Sequence, residues 1–181
     1  NQVYNAHKNN VVISEVRFVP LGTSYVVEAV YGKQPQYKEG DFFPLYDKNR
    51  VLGIDIGLDN LAAMITNQPD IHPVLINGKT LKSINALYNK QCADLRTKKK
   101  GSHLLSKSRK RYHAITDYMH KASRFIVNFC ETNNLGKIVI GKNDGWKQGI
   151  NIGKRNNQNF VSIPHAGFIG MIRYKAEQIG I

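Results

Sequence analysis

The sequence predicts an α/β fold, in which strands come first and helices then alternate with one more strand. Three observations support this class. Apolar residues occur at strand spacing up to about residue 76, recur at helical spacing from Leu81 onward, and form a short run at residues 138–140 before a last helical stretch. The composition, 41% hydrophobic and 22% charged, is typical of a globular protein.

The amino-terminal part predicts a β-hairpin. Residues 11–19 and 24–31 read as strands around the turn 20–23, with Val16 and Phe18 alternating against Glu15 and Arg17. Residues 32–50 contain two glycines, two prolines and several charges, which is typical of a linker. We therefore expect one part at residues 1–49 and a second at residues 50–181.

The second part is expected to open with three strands and continue with helices. Strands are predicted at 51–57, 61–66 and around 73–76, and their sequential order indicates an antiparallel meander. Two helices with a polar, basic tip at 102–111 are expected next, then a short buried strand at 137–140, a polar loop at 141–159 and a helix beginning near Pro164. This order is that of the ribonuclease H-like fold with an inserted helical hairpin.

One carboxylate stands inside the first of these strands. If residues 51–57 are extended, Leu52, Ile54 and Ile56 point to one face, whereas Asp55 points to the other between two glycines. A carboxylate removed from water needs a partner, and strand glycines often mark the close approach of a ligand. Asp55 is therefore a candidate cation ligand. The alternative is a structural aspartate that pairs with an arginine or caps the turn at 58–60.

Charge points to a polyanionic partner. The 26 Lys and Arg residues exceed the 13 Asp and Glu residues, which gives a net charge of +13 and favours nucleic acid. Residues 90–124 carry much of the excess and contain only two acids, Asp94 and Asp117. A solvated basic loop between helices is the alternative interpretation.

The remaining bulk features exclude other classes. No apolar run reaches the length of a membrane-spanning helix, and residues 1–8 contain no apolar signal core. Cys92 and Cys130 lie far apart without Cys-x-x-Cys spacing, so we expect reduced, buried thiols in a cytoplasmic protein.

Three motifs together resemble the TnpB/OrfB proteins of insertion sequences. They are residues 51–62 (VLGIDIGLDNLA), 117–124 (DYMHKASR) and 138–148 (IVIGKNDGWKQ), and residues 156–164 add to the match. The resemblance covers essentially the whole chain. It implies the RuvC-like part of an RNA-guided DNA endonuclease related to type V CRISPR effectors, preceded by a hairpin from a wedge-type β-barrel domain.

The resemblance also implies a mechanism, a cofactor and site residues. Two Mg²⁺ or Mn²⁺ ions about 4 Å apart would hydrolyse a phosphodiester, with Asp55 as the first catalytic and metal-binding acid. Many members carry Glu at the end of the fourth strand, where this chain has Gly141. Asp144 is a candidate replacement, although an acid beyond Ile181 is favoured. The third acid and the zinc ribbon would also lie downstream, so we expect a truncated chain that does not cleave DNA unaided.

The basic residues are candidate contacts for guide RNA and DNA, through backbone and shape rather than sequence. For His120, Lys121 and Arg124, solvation of a helix surface is the alternative. For Trp146 the alternatives are stacking on a base and anchoring its loop to the core. His165 is interpreted as local packing. The nucleic-acid candidates are Lys98, Lys99, Lys100, Lys107, Arg109, Lys110, Arg111, Lys121, Arg124, Lys142, Trp146, Lys147, Lys154 and Arg155.

Two other functions remain open at the level of sequence. A sugar-kinase or actin-like ATPase also places an Asp and glycines after a strand, but Leu58 stands where those proteins usually have a hydroxyl residue. A nucleic-acid-binding relative without catalytic activity would account for Gly141.

Overall fold

The structure, a computed structural model, describes residues 13–21, 24–31, 46–141 and 163–181. The chain divides into two compact units, residues 1–41 and 42–181. Among the described residues, no helix is both long enough and apolar enough to cross a bilayer.

The first unit contains the predicted hairpin. Strands β1 (Ile13–Leu21) and β2 (Ser24–Tyr31) pair antiparallel, with Phe18 opposite Val27. Strand β1 runs two residues further than expected, because Pro20 still pairs with Tyr25. Proline is tolerated there because each strand of a two-stranded sheet is an edge strand, so its missing N–H can face away from the partner.

The second unit contains a mixed four-stranded sheet. Its strands are β3 (Asp47–Asp55), β4 (Asn60–Thr66), β5 (Val74–Asn77) and β6 (Leu135–Ile140), in the order β5-β4-β3-β6. The pairs β3–β4 and β4–β5 are antiparallel, which confirms the predicted meander, and β6 pairs parallel to β3.

Strand β3 begins four residues before the predicted start. Asparagine side chains distant in sequence bind its first half: the Val51 amide donates to Asn67 Oδ1 at 2.9 Å, and the Asp47 amide donates to Asn134 Oδ1 at 3.3 Å. These contacts give two backbone amides of the strand hydrogen-bond partners that lie far away in the sequence. The strand ends at Asp55, so Ile56 and Gly57 follow it.

Three helices accompany the sheet: α1 (Lys79–Thr97), α2 (Ser102–Thr132) and α3 (His165–Glu177). The basic stretch 102–111 is not the helical tip that we predicted, because it forms the regular first turns of α2. It contains neither glycine nor proline and is rich in Leu, Lys and Arg, which are good helix formers. The chain reverses at residues 98–101, where Lys99 adopts a φ of 53°.

The expectation of a buried strand at 137–140 was wrong in part. Strand β6 lies at an edge of the described sheet, and Val139 is 50% exposed. Burial is complete only at its beginning, at Leu135 and Gly136.

The core lies between one sheet face and the helices. Leu52, Ile54 and Ile56 are buried with apolar side chains of α2 and α3, among them Met119 and Phe168. The alternation predicted for this strand is therefore confirmed.

Both cysteines are free and buried, as predicted. Burial raises the pKa of the Cys130 thiol to about 12, which keeps it protonated and unreactive near neutral pH.

Candidate functional site

Asp55 stands at the end of β3 on the sheet face opposite the core. Its side chain is exposed, whereas Ile54 and Ile56 on either side of it are almost completely buried. The same sheet face carries Ile65 on β4 and Val139 on β6, which are 61% and 50% exposed. Because the described helices do not cover this face at Asp55, the carboxylate is open to a ligand.

Four small residues adjoin Asp55. Gly53 and Gly57 lie two positions away along the chain, and Ala63 is its partner on β4. On the other side, Ile54 pairs with Ile140, which places Gly141 beside Asp55, and the Gly141 amide donates to the Ile54 carbonyl at 3.0 Å. Small neighbours leave room for a ligand to approach the carboxylate closely.

Among the described residues, the Asp55 carboxylate has no hydrogen-bond or ion-pair partner. Within the described residues, Asp55 is exposed and pairs with no arginine, which differs from the alternative of a buried, Arg-paired aspartate. The described part of the chain contains no cluster of three or more His, Cys, Asp or Glu side chains that could hold a metal ion. Asp55 can thus supply one carboxylate ligand to a hard divalent cation, but the described residues do not supply a complete set of ligands.

Two contacts from distant elements fix the turn that follows Asp55. His165, fully buried at the start of α3, places Nε2 3.3 Å from the Gly57 carbonyl. Because a carbonyl oxygen only accepts hydrogen bonds, Nε2 carries the proton. From the start of α1, the Gly78 amide donates to the Asp59 carbonyl at 2.8 Å.

Sequence reasoning did not connect either residue with the site. His165 was correctly interpreted as a packing residue. Its contact with Gly57 could not be predicted from a local sequence pattern, because the two residues are 108 positions apart.

Asp59, the second acid near this turn, forms an ion pair with Lys82. Lys82 Nζ lies 2.7 Å from Asp59 Oδ1, and this hydrogen bond lowers the pKa of the Asp59 carboxyl. The site therefore contains one engaged carboxylate, Asp59, and one without a described partner, Asp55.

The three predicted cationic residues of the turn 98–101, which joins α1 to α2, differ in their surroundings. Lys98 Nζ lies 2.8 Å from Asp94 Oδ1, one helical turn earlier. Lys99 and Lys100 are exposed, and the described structure offers their ammonium groups no acidic partner. These two are the better candidates for contact with a polyanion.

The cations of α2 begin at Lys107, about 8 Å along the helix from its first residue at 1.5 Å per residue. Arg109 and Lys110 are exposed, and Lys107 is partly buried. Arg111 is held to α1: its Nε donates to Asn85 Oδ1 at 2.6 Å, and its guanidinium lies 5.2 Å from the centre of the Tyr88 ring. Its guanidinium therefore helps to join the two helices.

Further along α2, Lys121 and Arg124 are exposed. Lys121 Nζ lies 2.7 Å from Asp117 Oδ2, one turn earlier. The predicted cations that the structure describes therefore do not form one cluster, but are distributed over the turn 98–101 and α2.

A buried lysine between α2 and α3 was not expected from sequence. Lys175 is only 4% exposed, and its Nζ donates to the His120 carbonyl at 2.8 Å and to Ser123 Oγ at 2.5 Å. Burial, and then the charge of Arg124, lowers the pKa of Lys175. Burial, and then the charge of Lys175, lowers the pKa of His120.

These shifts predict how stability depends on pH. The folded protein releases the Lys175 proton at a lower pH than the unfolded chain, whose pKa is near 10.5. The unfolded state therefore binds more protons in that window, and stability rises as pH increases toward 10.5. We expect Lys175→Met to remove this rise, measured by urea unfolding at several pH values between 8 and 10.5.

Lys121→Met is the control for that measurement, because Lys121 is exposed on α2, the helix against which the Lys175 amine is buried. It should keep the wild-type dependence. An unchanged pH profile in Lys175→Met would show that the buried amine does not titrate differently on folding.

Six predicted site residues lie outside the described residues, and the structure does not test them. They are Lys142, Asp144, Trp146, Lys147, Lys154 and Arg155.

Comparison with known proteins adds a family and a fold. The family OrfB_IS605, described as a probable transposase, matches residues 34–147, which is more than half of the chain. No curated protein matches the sequence significantly.

Two solved structures resemble the chain in fold. A Cas12f1–sgRNA–target DNA complex matches with a TM-score of 0.59 and 16% identity, over 92% of this chain and 39% of its own. A CRISPR–Cas12f ternary complex matches with a TM-score of 0.59 and 16% identity, over 99% of this chain and 36% of its own. The chain thus spans less than two fifths of the length of these relatives.

Proposed function

Because this chain belongs to the OrfB_IS605 family of probable transposases, the TnpB family, we propose that it supplies the RuvC-like part of a transposon-encoded, RNA-guided DNA endonuclease. The fold similarity to Cas12f, solved in complex with guide RNA and target DNA, supports a nucleic-acid partner. The net charge of +13 supports the same class of partner.

We further propose that residues 50–181 form an incomplete ribonuclease H-like domain into which α1 and α2 are inserted as a hairpin. An antiparallel meander β3–β4–β5 with β6 parallel to its first strand supports this assignment. Residues 1–49 would then be the end of a wedge-type β domain and a linker, and the β1–β2 hairpin supports this proposal.

The observation that carries the proposal is the environment of Asp55. An exposed carboxylate at the end of a central strand, surrounded by Gly53, Gly57, Ala63 and Gly141, has no described partner to explain it. Such a group contributes nothing to the packing of the core. It is placed to bind a ligand from outside.

Mg²⁺ or Mn²⁺ is the cofactor that this chemistry implies. Such an ion would stabilise charge on the phosphate and lower the pKa of a bound water. In this chain Asp55 would hold it, and Asp144 is the candidate for a second ligand. Zinc would belong only to a segment beyond this chain. His165 and Gly78 act as positioning residues, because they fix the turn next to Asp55.

Nucleic-acid binding through the turn 98–101 makes a testable prediction. Lys100 is exposed without an acidic partner, whereas Lys98 pairs with Asp94. Plotted against the logarithm of salt concentration, the logarithm of the association constant falls with a negative slope. We expect Lys100→Gln to make this slope less steep by about 1, because one phosphate contact is lost. Lys98→Gln removes the same charge from the same turn and should change the slope less.

The measurement is fluorescence anisotropy of a labelled duplex over a salt series. Equal effects of the two variants would show that net charge alone governs binding. A wild-type affinity that does not depend on salt would contradict the proposed nucleic-acid function.

One observation favours a second candidate, a nucleic-acid-binding relative without cleavage activity. Gly141 lies beside Asp55, where a second acid would be expected. A Cβ at this position would lie 3.8 Å from the Ile54 carbonyl oxygen, which is ordinary contact. Space therefore does not exclude an acidic side chain, and its absence is a property of the sequence.

A further inference from the structure

The first turns of α2 expose an aromatic ring among their cations. Tyr112 is 47% exposed and directly follows Arg109, Lys110 and Arg111. Its ring meets the neighbouring His113 ring edge to face, with centroids 5.6 Å apart and an interplanar angle of 70°.

A second apolar side chain lies on the same helix face. Leu105 is 41% exposed, and Leu105, Arg109 and Tyr112 follow the spacing i, i+4, i+7 that places residues on one face. The result is an apolar stripe about 10 Å long with a guanidinium in its middle.

The stripe is presented from a fixed support. At the position before Tyr112, Arg111 donates to Asn85 of α1 at 2.6 Å, and the Tyr88 hydroxyl lies 3.3 Å from Ser108 Oγ. These contacts hold the start of α2 against α1. Because this part of α2 is already ordered, binding of a partner to Tyr112 would cost little free energy for ordering the protein.

Charge selects the class of partner. Residues 95–116 contain eight Lys and Arg residues and no Asp or Glu, so a polyanion fits this surface. A regular duplex presents phosphates and keeps its bases stacked inside, where an exposed ring gains little. An unpaired base offers a π-face, and stacking on an aromatic side chain is tolerant of base identity.

We propose that Tyr112 is a stacking platform for an unpaired base of single-stranded nucleic acid, whose phosphates contact Arg109 and Lys110. This inference rests on the proposed function and extends it by naming the strand state of the nucleic acid at this surface. Single-stranded DNA and RNA share the required chemistry, and the experiment compares the two.

The test measures the affinity of the whole chain for labelled single-stranded DNA, single-stranded RNA and duplex DNA of one sequence. Tyr112→Ala should weaken single-strand binding roughly 5- to 150-fold, the range for loss of one stacked base. Duplex binding should change less than about twofold. Tyr112→Phe, which keeps the ring, should bind like the wild type.

Two controls make the outcome specific. Tyr25→Ala makes the same change at a tyrosine that is 70% exposed in the hairpin unit, and it should leave single-strand binding unchanged. Because alanine is a better helix former than tyrosine, Tyr112→Ala should keep the helical circular dichroism signal.

Three results would overturn the proposal. These are an equal loss for single strand and duplex, an equal loss in Tyr25→Ala, or unchanged affinities in Tyr112→Ala, which would leave the stripe to a protein partner. If the wild type binds none of the three probes in a salt-dependent way, the proposed function itself fails, independently of Tyr112.

Discussion

Replacing Gly78 with alanine is expected to lower the free energy of unfolding by about 3 kcal/mol. An alanine Cβ at this position would lie 2.1 Å from the Leu58 carbonyl oxygen and 3.0 Å from the Leu61 amide nitrogen. Both atoms belong to the backbone, so no side chain can rotate away to relieve the clash. The start of α1 and the turn after Asp55 would have to separate.

Gly101→Ala is a closely matched control. Both glycines precede the first residue of a helix, and both have right-handed backbone angles, with φ of −92° at Gly78 and −59° at Gly101. A Cβ at Gly101 meets nothing within 4 Å. We expect its stability to stay within about 0.5 kcal/mol of the wild type.

Urea unfolding followed by far-UV circular dichroism measures both variants. For a chain of this size the loss at Gly78 corresponds to a decrease in Tm of roughly 10 °C. If Gly78→Ala is as stable as Gly101→Ala, the close approach of α1 to the turn at residues 58–61 is not a feature of the folded protein.

Asp55→Asn is expected to reduce cation-dependent DNA cleavage by about 10³-fold or more, assayed in the parent protein assembled with its guide RNA. A bound metal contributes several kcal/mol to the transition state, and each 1.36 kcal/mol is about tenfold in rate. The exposed Asp55 side chain has no described partner, so the substitution should change stability by less than about 0.5 kcal/mol. Single-turnover cleavage of a labelled substrate in Mg²⁺ measures the effect.

Asp59→Asn is the control, since it makes the same change four residues further along the chain. Asp59 is exposed and bound to Lys82, and it does not lie beside Gly141. It should keep most of the activity. Comparable losses in the two variants would show that general negative charge near the turn, rather than Asp55 itself, is required.

Much of the fold could be predicted because local periodicity reports burial. Leu52 and Ile54 alternate with Asp55, and the structure buries the first two and exposes the third, as expected from strand geometry. Element ends were less predictable. The start of β3 depends on Asn67 and Asn134, which bind its backbone from distant positions.

The basic stretch at the start of α2 shows a different limit. Polar composition at residues 102–111 suggested a helical tip, but Lys and Arg favour helices and the chain instead reverses at 98–101. Sequence also could not reveal that Arg111 is bound to Asn85 or that Lys175 is buried against Ser123. Both contacts depend on the packing of separate helices.

The sequence identified Asp55 as the candidate site residue, but it did not identify the residues that surround Asp55 or those that hold the turn after it. Alternation and two adjacent glycines identified the acid, whereas Ala63 and Gly141 became its neighbours only through strand pairing. The contact of His165 with Gly57 likewise arises when α3 packs against the sheet.

If Asp55 is a ligand for a divalent cation, as we propose, paramagnetic broadening of amide NMR signals by Mn²⁺ will detect the ion beside it. Substoichiometric Mn²⁺ should broaden the signals of residues 55–57, Ala63 and Gly141 first, and Asp55→Asn should abolish this effect while preserving the spectrum elsewhere. Broadening that begins instead at another exposed acid such as Asp70, or that persists unchanged in Asp55→Asn, would contradict the assignment.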